Sequence, residues 1–502
     1  MANSLSNNIS EPSIKAQSKG TQRQDISKQA TQEQVTQEQK TPGEHKGMDA
    51  RQLAFLTLQE IDRHQTYVDI AIDRTLRNQK IAGKDRALVS ELVYGIVRHQ
   101  RSLDTLIDIL GKKKAAKQPP KLRRIFHLGL YQLRYADRVP ESAAVNTAVE
   151  LAKTNGLGKL KGVVNGLLRN YIRKSTERDL LAPSHSKTNP LSAQAIREIG
   201  VFYSFPDWIV SNWLEQLSVA ETQTLLSWFN QPGKIDLRVN LRQTTVTEVK
   251  TALENAGLEV ALIPELPQAI RIESHAGDVR RLPGYQEGWW VVQDSSAQLV
   301  SHLLDPQPGE TVLDMCAAPG GKTTHIAELM GDRGEIWACD RSAKRLQKVA
   351  QNAYRLKLNS INALAEDGRN LDRFIGKCDR VLLDAPCSGL GTLHKRPDIR
   401  WRQDPQQIEQ LAILQQELLT KAAKLVKPTG VLVYATCTLN ISENEKVIQS
   451  FLENHPQWQI SPPKGDFWKT WQTDPGWIKV YPHQRNMDGF FLVKLTQTAY
   501  IS

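Results

Sequence analysis

Apolar residues recur at helical spacing throughout residues 49–175. Leu88, Leu92 and Ile96 fall on one face of a helix, and similar stripes occur before and after them. A stripe with this period is typical of an amphipathic helix whose apolar face packs into a core. The pattern therefore predicts an all-α domain, and we assign the stripes to its core rather than to a catalytic site.

Two other segments lack such stripes. Residues 1–48 contain no aromatic residue and are rich in Gln, Ser, Thr and Lys. A segment of this composition buries too little apolar surface to fold, so we expect a disordered tail. Its several acidic residues argue against a transit peptide. Residues 176–204 are rich in Ser, Pro and Lys, which predicts a linker.

The pattern becomes mixed in residues 205–294. Alternating apolar and polar positions indicate strands there, and longer periodic stretches indicate helices. In chain order we expect a helix at 205–229, a strand at 235–241, a helix at 246–256, and strands at 269–272 and 289–293. This order predicts a small α/β extension.

Residues 295–502 alternate short apolar runs with amphipathic helices, which predicts an α/β, Rossmann-like core with a parallel sheet. The run TVLDMCAAPGGKTT at 311–324 predicts a buried strand, a Pro-Gly-Gly turn and the start of a helix. Such a turn at the carboxyl end of a parallel strand lets a ligand approach the backbone closely. We therefore expect a nucleotide-type cofactor site at this turn.

Two other cofactor motifs fit this turn poorly. A phosphate-binding P-loop requires Gly at the position of Cys316, and the dinucleotide pattern G-x-G-x-x-G is absent here. An ordinary strand-to-helix turn remains an alternative for the isolated stretch. Asp340 follows Gly320 by 20 residues and ends the next predicted strand, where doubly wound folds bind a ribose diol.

The strands that follow end in chemically active residues. Asp367 and Asp384 end the next two predicted strands, at 360–367 and 378–386. Cys387 follows the second of them, and Cys437 lies in the fifth strand, at 431–439. Because the carboxyl ends of parallel strands share one edge of a sheet, we expect these side chains to surround one site.

Composition narrows the class of protein. The chain has 502 residues, enough for about three domains, and five cysteines. An odd number of cysteines confined to one α/β domain fits a reducing cytoplasm better than a disulfide framework. The cysteine and histidine spacing predicts no metal site, and no apolar run has the length of a membrane span.

Charge is distributed unevenly. Residues 49–174 contain twice as many Lys and Arg as Asp and Glu residues, and their excess accounts for the whole chain's net charge of +11. A basic module beside a neutral catalytic module suggests a polyanionic substrate. A soluble helical bundle with a charged face is the alternative for this module.

The motifs DMCAAPGGKT, DAPCSGLG and ATCTL, in this order, resemble those of RNA cytosine-C5 methyltransferases that use S-adenosylmethionine. Beyond the tail, the chain resembles the RsmB/Sun/Fmu type, which acts on 16S rRNA. The resemblance implies a NusB-like RNA-binding domain over 49–175 and a class I S-adenosylmethionine-dependent methyltransferase core over 295–502. It also implies small-subunit rRNA as the partner, and we expect a monomer.

The resemblance assigns roles to individual residues. Carbon C5 of cytosine becomes nucleophilic only after a group adds at C6, a step that suits a thiolate. By resemblance Cys437 is this nucleophile, Cys387 assists product release, and Asp384 contacts both the cofactor and the cytosine ring. Thr438 stands where the family usually has Ser. The implied cofactor-binding residues are Cys316, Ala317, Ala318, Pro319, Gly320, Gly321, Lys322, Asp340, Asp367 and Asp384.

Basic residues in three places are candidates for RNA contact. One group is a run without acidic residues that we expect to form a phosphate-contacting loop, one belongs to a strand of the extension, and one follows Cys387 and includes a stacking ring. These candidates are Lys112, Lys113, Lys114, Lys117, Arg123, Arg124, Arg238, Lys395, Arg396, Arg400 and Trp401.

Two other functions are alternatives to methylation of 16S rRNA. The same reaction on tRNA would require the same motifs. A non-catalytic RNA-binding or ribosome assembly factor would retain the basic domain but would not require Cys437.

Overall fold

The computed structural model describes residues 44–77, 79, 81–183, 191–471, 473 and 475–498. His45–Ser502 form one structural unit. The predicted disordered tail lies outside the described residues up to position 43, and its remaining positions begin the first helix.

The N-terminal part is all-α, as predicted. Its helices pack around one core of buried aliphatic and aromatic residues drawn from the apolar stripes, among them Leu92, Ile96 and Phe126. In the described chain these helices are α1 (Glu44–His64), α2 (Val68–Leu76), α3 (Gly83–Arg98), α4 (Gln100–Leu110), α5 (Pro120–Tyr135), α6 (Glu141–Thr154) and α7 (Lys161–Ser175).

The predicted linker at 176–204 is wrong over its second half. The helix α8 (Ala193–Tyr203) begins there, capped by the Ser192 hydroxyl, which accepts a hydrogen bond from the backbone N–H of Ala195 at 3.2 Å. Ile199 is buried on this helix and packs with the next two helices. The composition of this segment favoured a linker. The segment forms a helix because its apolar face is buried against the neighbouring helices.

The extension combines helices with a small antiparallel sheet, whose strands pair in the order Val260–Leu262, Ala269–Ile272, Ile235–Val239 and Trp290–Val292. The helix expected over 205–229 is broken into two, and one short strand was missed. The elements are α9 (Asp207–Leu214), α10 (Val219–Phe229), β1 (Ile235–Val239), α11 (Val246–Asn255), β2 (Val260–Leu262), β3 (Ala269–Ile272) and β4 (Trp290–Val292).

The catalytic part is a mixed sheet with helices on both faces, which confirms the Rossmann-like prediction. Five parallel strands lie in the order Ile361–Ala365, Glu335–Asp340, Thr311–Asp314, Cys378–Asp384 and Val426–Thr436. The strand Phe490–Gln497 pairs antiparallel with the last of them and with two short strands, Trp458–Ile460 and Ile478–Val480. The elements are α12 (Ser295–Leu304), β5 (Thr311–Asp314), α13 (Gly321–Leu329), β6 (Glu335–Asp340), α14 (Ala343–Arg355), β7 (Ile361–Ala365), β8 (Cys378–Asp384), α15 (Pro405–Leu425), β9 (Val426–Thr436), α16 (Glu445–Asn454), β10 (Trp458–Ile460), α17 (Asp466–Lys469), β11 (Ile478–Val480), α18 (Pro482–Arg485) and β12 (Phe490–Gln497).

The basic run at 112–124 is only partly the loop that we expected. Helix α5 begins at Pro120, since proline suits the first turn of a helix. Arg123 and Arg124 therefore lie on a helix, where they pair with Asp104 and Asp62. Arg124 is buried, so its predicted RNA contact does not fit. The lysines of the run, Lys112, Lys113, Lys114 and Lys117, are exposed.

The predicted RNA contacts of Arg238 and Arg400 are also wrong, because both side chains are buried. Arg238 is fully buried and forms an ion pair with Glu328, with Nη2 2.8 Å from Oε1. Arg400 is also fully buried, lies 3.8 Å from the ring centroid of Phe205 and donates hydrogen bonds to backbone carbonyls. Neither guanidinium presents a surface to a phosphate group.

No described helix has both the length and the apolar character needed to cross a membrane. Within the described ranges, no group of three or more His, Cys, Asp or Glu side chains is arranged to hold a metal ion.

The burial of Arg238 predicts a large effect on stability. We expect Arg238→Ala to lower the free energy of unfolding by about 3–5 kcal/mol, because the carboxylate of Glu328 would remain buried without its partner. Urea denaturation followed by tryptophan fluorescence measures this change. The control is Arg280→Ala, which removes an exposed ion pair with Asp278 and should stay within about 0.5 kcal/mol of wild type. If Arg238→Ala left the stability unchanged and weakened RNA binding, the result would support the prediction that Arg238 contacts RNA.

Candidate active site

Two cysteines meet at the carboxyl edge of the sheet. Strands β8 and β9 are parallel neighbours, and Asp384 at the end of β8 is in register with Ala435 of β9. Cys387 and Cys437 follow these positions, and their sulfur atoms lie 3.3 Å apart. Both are free thiols and both are partly exposed. The sequence predicted that they share a site, and the strand register explains why they touch.

The contact between the two sulfur atoms makes the thiols unequal. The hydrogen bond from Cys387 lowers the pKa of Cys437, and it outweighs the opposite effect of burial. The positive charges of Lys322 and Arg396 act in the same direction. The same hydrogen bond, together with burial, raises the pKa of Cys387 well above its ordinary value. The thiolate form is therefore favoured at Cys437, and the Cys387 thiol lies in position to donate a hydrogen bond to it.

A buried glutamate holds the loops behind the two thiols. Glu443 accepts hydrogen bonds from the backbone N–H of Ser388 at 2.7 Å and from the hydroxyls of Ser388 and Thr438. Gln415 of α15 donates to the same carboxylate at 3.2 Å, and burial raises the pKa of Glu443. The network ties the residue after each thiol to one anchor. Sequence reasoning missed it, because a lone Glu after a strand gives no signal.

The loop after Cys387 also contacts the chain before β12. The backbone N–H of Gly489 donates to the carbonyl of Gly391 at 2.8 Å. A Cβ atom on Gly391 would lie 2.0 Å from the Gly489 carbonyl oxygen, so only glycine permits this approach. Asp488 and Phe490, the neighbours of Gly489, line the same cavity as the two thiols.

Lys322 and Asp384 form a partly exposed ion pair at the same edge. Lys322 Nζ lies 2.6 Å from Asp384 Oδ2 and 5.0 Å from the ring centroid of Phe490. Burial opposes the charge of Lys322, but Asp384 outweighs it, and the net effect raises the pKa of Lys322. The sequence predicted both residues at the site but did not predict that they pair.

The Pro-Gly-Gly turn after β5 is packed tightly against α14. Gly320 has φ of +100°, and a Cβ atom there would lie 3.0 Å from the Cα atom of Val349. Arg345 of α14 connects the turn to the end of β6. It donates to the carbonyl of Ala318 at 2.6 Å and pairs with Asp340 at 3.2 Å. Arg345 is a site residue that sequence reasoning missed.

One cavity of about 1460 Å³ opens at this edge of the sheet, and we call it the central cleft. Ala317, Gly320 and Gly321, which were predicted to bind the cofactor, do not line it. Their turn instead supports the wall from behind. On the catalytic side the cleft is lined by Met315, Cys316, Ala318, Pro319, Lys322, Asp340, Asp367, Asp384, Cys387, Thr392, Lys395, Arg396, Cys437, Asp488 and Phe490.

The groups in the cleft fit S-adenosylmethionine. Lys322 supplies a cation for a carboxylate, and Asp340 supplies acceptors for ribose hydroxyls. Asp367, a candidate for the adenine amine, caps its loop and pairs with Arg369, whose hydrogen bonds lower the pKa of Asp367 to about 2. An acceptor that stays ionised near neutral pH suits an amine donor.

A second cluster of charged side chains lines the same cleft. Lys395 pairs with Asp294, the N-cap residue of α12, and its Nζ lies 3.1 Å from Asp488 Oδ1. Lys395 was predicted to bind RNA, and it does line the cleft, but its charge is already neutralised. The neighbouring Arg396 is exposed and also lines the cleft.

Trp401 was predicted to stack on RNA and is placed differently. Its indole N–H donates to the carbonyl of Val97 at 2.7 Å, and its ring packs against the core of the N-terminal helices. The residue joins two parts of the chain.

Known proteins show the same three-part organisation. Family models match the NusB family at residues 48–173, a RsmF/B-like ferredoxin-like domain at 205–280, and 16S rRNA methyltransferase RsmB/F at 301–496. The chain resembles the crystal structure of a methyltransferase homolog protein from Pyrococcus horikoshii with a TM-score of 0.54 and 27% identity. That alignment covers 61% of this chain and 100% of the other.

Two curated relatives extend the match to nearly full length. A probable ribosomal RNA small subunit methyltransferase B from Synechocystis is 49% identical, covering 89% of this chain and 99% of the relative. A protein of the same description from Bacillus subtilis is 30% identical, covering 90% and 99%. The chain therefore belongs to the 16S rRNA methyltransferase RsmB/F family.

Proposed function

We propose that this protein methylates carbon C5 of a cytosine in small-subunit rRNA through a covalent bond between Cys437 and C6 of the base. That it is an rRNA methyltransferase with S-adenosylmethionine as cofactor follows from its family. The 3.3 Å contact between the Cys387 and Cys437 sulfur atoms carries the rest of the proposal, because it pairs a nucleophile with a hydrogen-bond donor in one cleft. The enzyme acts in the cytoplasm as a monomer.

The reaction begins at Cys437. Its thiolate adds to C6 of the flipped cytosine, a sulfur–carbon bond forms, and the electron pair of the C5–C6 double bond moves into the ring. The ammonium of Lys322, whose charge also lowers the pKa of Cys437, stabilises the negative charge that develops on the cytosine ring. Asp384, fixed by Lys322, accepts a hydrogen bond from the base.

Methyl transfer and release follow. Bound S-adenosylmethionine supplies the methyl group, which C5 takes from the sulfonium sulfur. The proton on C5 then passes to a base in the cleft, and the electron pair of the C5–H bond re-forms the C5–C6 double bond. The bond between sulfur and C6 breaks at the same time, and its electron pair returns to Cys437. Cys387 donates a hydrogen bond to the departing thiolate, which favours release.

The experiment that tests this function is methyl transfer from labelled S-adenosylmethionine to purified rRNA and tRNA. We expect label in small-subunit rRNA with the wild type and none with Cys437→Ala, because the variant lacks the group that activates C5. Cys378→Ala is the matched control, since that thiol is buried at the other end of β8. Label only in tRNA would overturn the substrate, and an active Cys437→Ala would overturn the mechanism.

A second prediction concerns release. Cys387→Ala should accumulate a protein–RNA adduct that survives denaturing electrophoresis, because the thiolate of Cys437 leaves without its hydrogen-bond donor. The double variant Cys387→Ala, Cys437→Ala should form no adduct. If Cys387→Ala turns over without any adduct, Cys387 has no role in release.

A third prediction concerns pH. Because the Cys387 hydrogen bond lowers the pKa of Cys437, the iodoacetamide reaction of Cys437 should rise through a midpoint below that of an ordinary thiol. In Cys387→Ala the midpoint should move to higher pH, so alkylation below that midpoint becomes slower. Cys387→Ser keeps a donor and should move it less. Mass spectrometry of the Cys437 peptide gives the rates, and an unchanged midpoint in Cys387→Ala would contradict the assignment.

A further inference from the structure

The central cleft is larger than the cofactor requires. Ligand pockets usually measure about 300–1,000 Å³, whereas this cleft measures about 1460 Å³. Part of its wall comes from the N-terminal helices, through residues of α3, the end of α5 and the turn that follows α5. The cofactor residues lie on the catalytic side, so the N-terminal wall faces space that remains for another ligand.

The N-terminal wall is aromatic. Tyr94 of α3 and Tyr135 of α5 line the cleft and are partly exposed. The ring of His99 stacks on Tyr135 with centroids 3.9 Å apart, and Tyr131 lies 5.5 Å from Tyr135. Aromatic faces beside a cleft of this width suit unstacked nucleotide bases, since every base offers a flat face.

Unpaired cations line the same space. Arg138, which follows α5, and Arg396, which follows Cys387, are both exposed and line the cleft. Among the described residues neither side chain has a carboxylate partner, whereas Arg345 and Arg369 on the cofactor side do. A guanidinium without a carboxylate partner is available to a phosphate group.

The wall is fixed relative to the nucleophile. Arg98, at the end of α3, donates to the carbonyl of His394 at 2.8 Å, and both residues are buried. The indole of Trp401 bonds the carbonyl of Val97 in the same helix. Arg396 lies between these two anchors, and its charge acts on both Tyr94 and Cys437. A strand bound along this wall would therefore lead to the reacting thiol.

We infer that Tyr94, Tyr135 and Arg138 of the N-terminal domain, together with Arg396, bind the unstacked RNA strand next to the target cytosine. The ring of Tyr94 stacks on a flanking base, Tyr135, whose ring is already stacked on His99, contacts the strand with its exposed edge, and the two arginines bind phosphates. This inference rests on the proposed function, since it assumes that RNA enters the cleft. It makes the N-terminal domain a wall of the active site as well as a separate basic surface.

The test measures affinity for a fluorescein-labelled polycytidine RNA of about ten nucleotides, a length within the range that single-stranded sites cover. We expect Tyr94→Ala to raise its Kd about tenfold, as for the loss of one stacked base, and Tyr94→Phe to stay close to wild type. Arg138→Ala should weaken binding and reduce the salt dependence by about one released counterion. The same variants should raise KM for small-subunit rRNA in methyl transfer, with unchanged affinity for S-adenosylmethionine.

Matched controls lie outside the cleft. Tyr354→Ala removes an exposed ring on α14, and Arg178→Ala removes an exposed guanidinium of the N-terminal part. If the wild type transfers methyl groups and the wall variants match these controls in both Kd and KM, the inference is wrong and the proposed function stands. A rise in KM without a change in Kd would also overturn it, because the wall would then not hold an unstacked strand. Absence of methyl transfer in the wild type refutes the proposed function itself.

Discussion

The parallel pairing of β8 and β9 is the constraint on which the site depends. In-register parallel strands bring their carboxyl ends to one line, so the residues just beyond them must share space. The thiol contact, the unequal acidity of the two sulfur atoms and the position of Asp384 all follow from this pairing. Glu443 then fixes the two loops, so the contact does not depend on loop conformation alone.

The segment after Cys387 is the second structural centre of the molecule. Leu390, Leu393 and Ile399 share a core with the helices of the extension, and Arg400 and Trp401 bond the N-terminal domain. Three parts of the chain thus meet on the loop that begins at Cys387. The arrangement explains why a sequence so rich in cations and aromatic rings is mostly buried there.

Secondary-structure elements were predicted from the sequence better than the burial and the contacts of individual side chains. The strand Ala269–Ile272 was bounded correctly, because an apolar run between turn residues leaves few alternatives. The paired cysteines and the acids at strand ends were found because motif order reflects the sheet. Burial of Arg238 and Arg400 was not predictable, since the partners of each lie far away in sequence and a buried arginine has no local signature. The Ser388–Glu443 network was missed for the same reason.

The bond from Arg98 to His394 and the insertion of Trp401 bear on modularity. Family models divide the chain into three matches separated by short gaps, which suggests units that could be exchanged or expressed alone. The contacts argue otherwise. A fragment starting at residue 205 would lose the carbonyls of Arg98 and Ser204 that accept hydrogen bonds from Arg400. It would also lose the carbonyl of Val97 that accepts from Trp401, and it would expose the face of the Trp401 ring that packs on the N-terminal core. In this chain the sequence boundary between the first and second matches is not a boundary of independent folding.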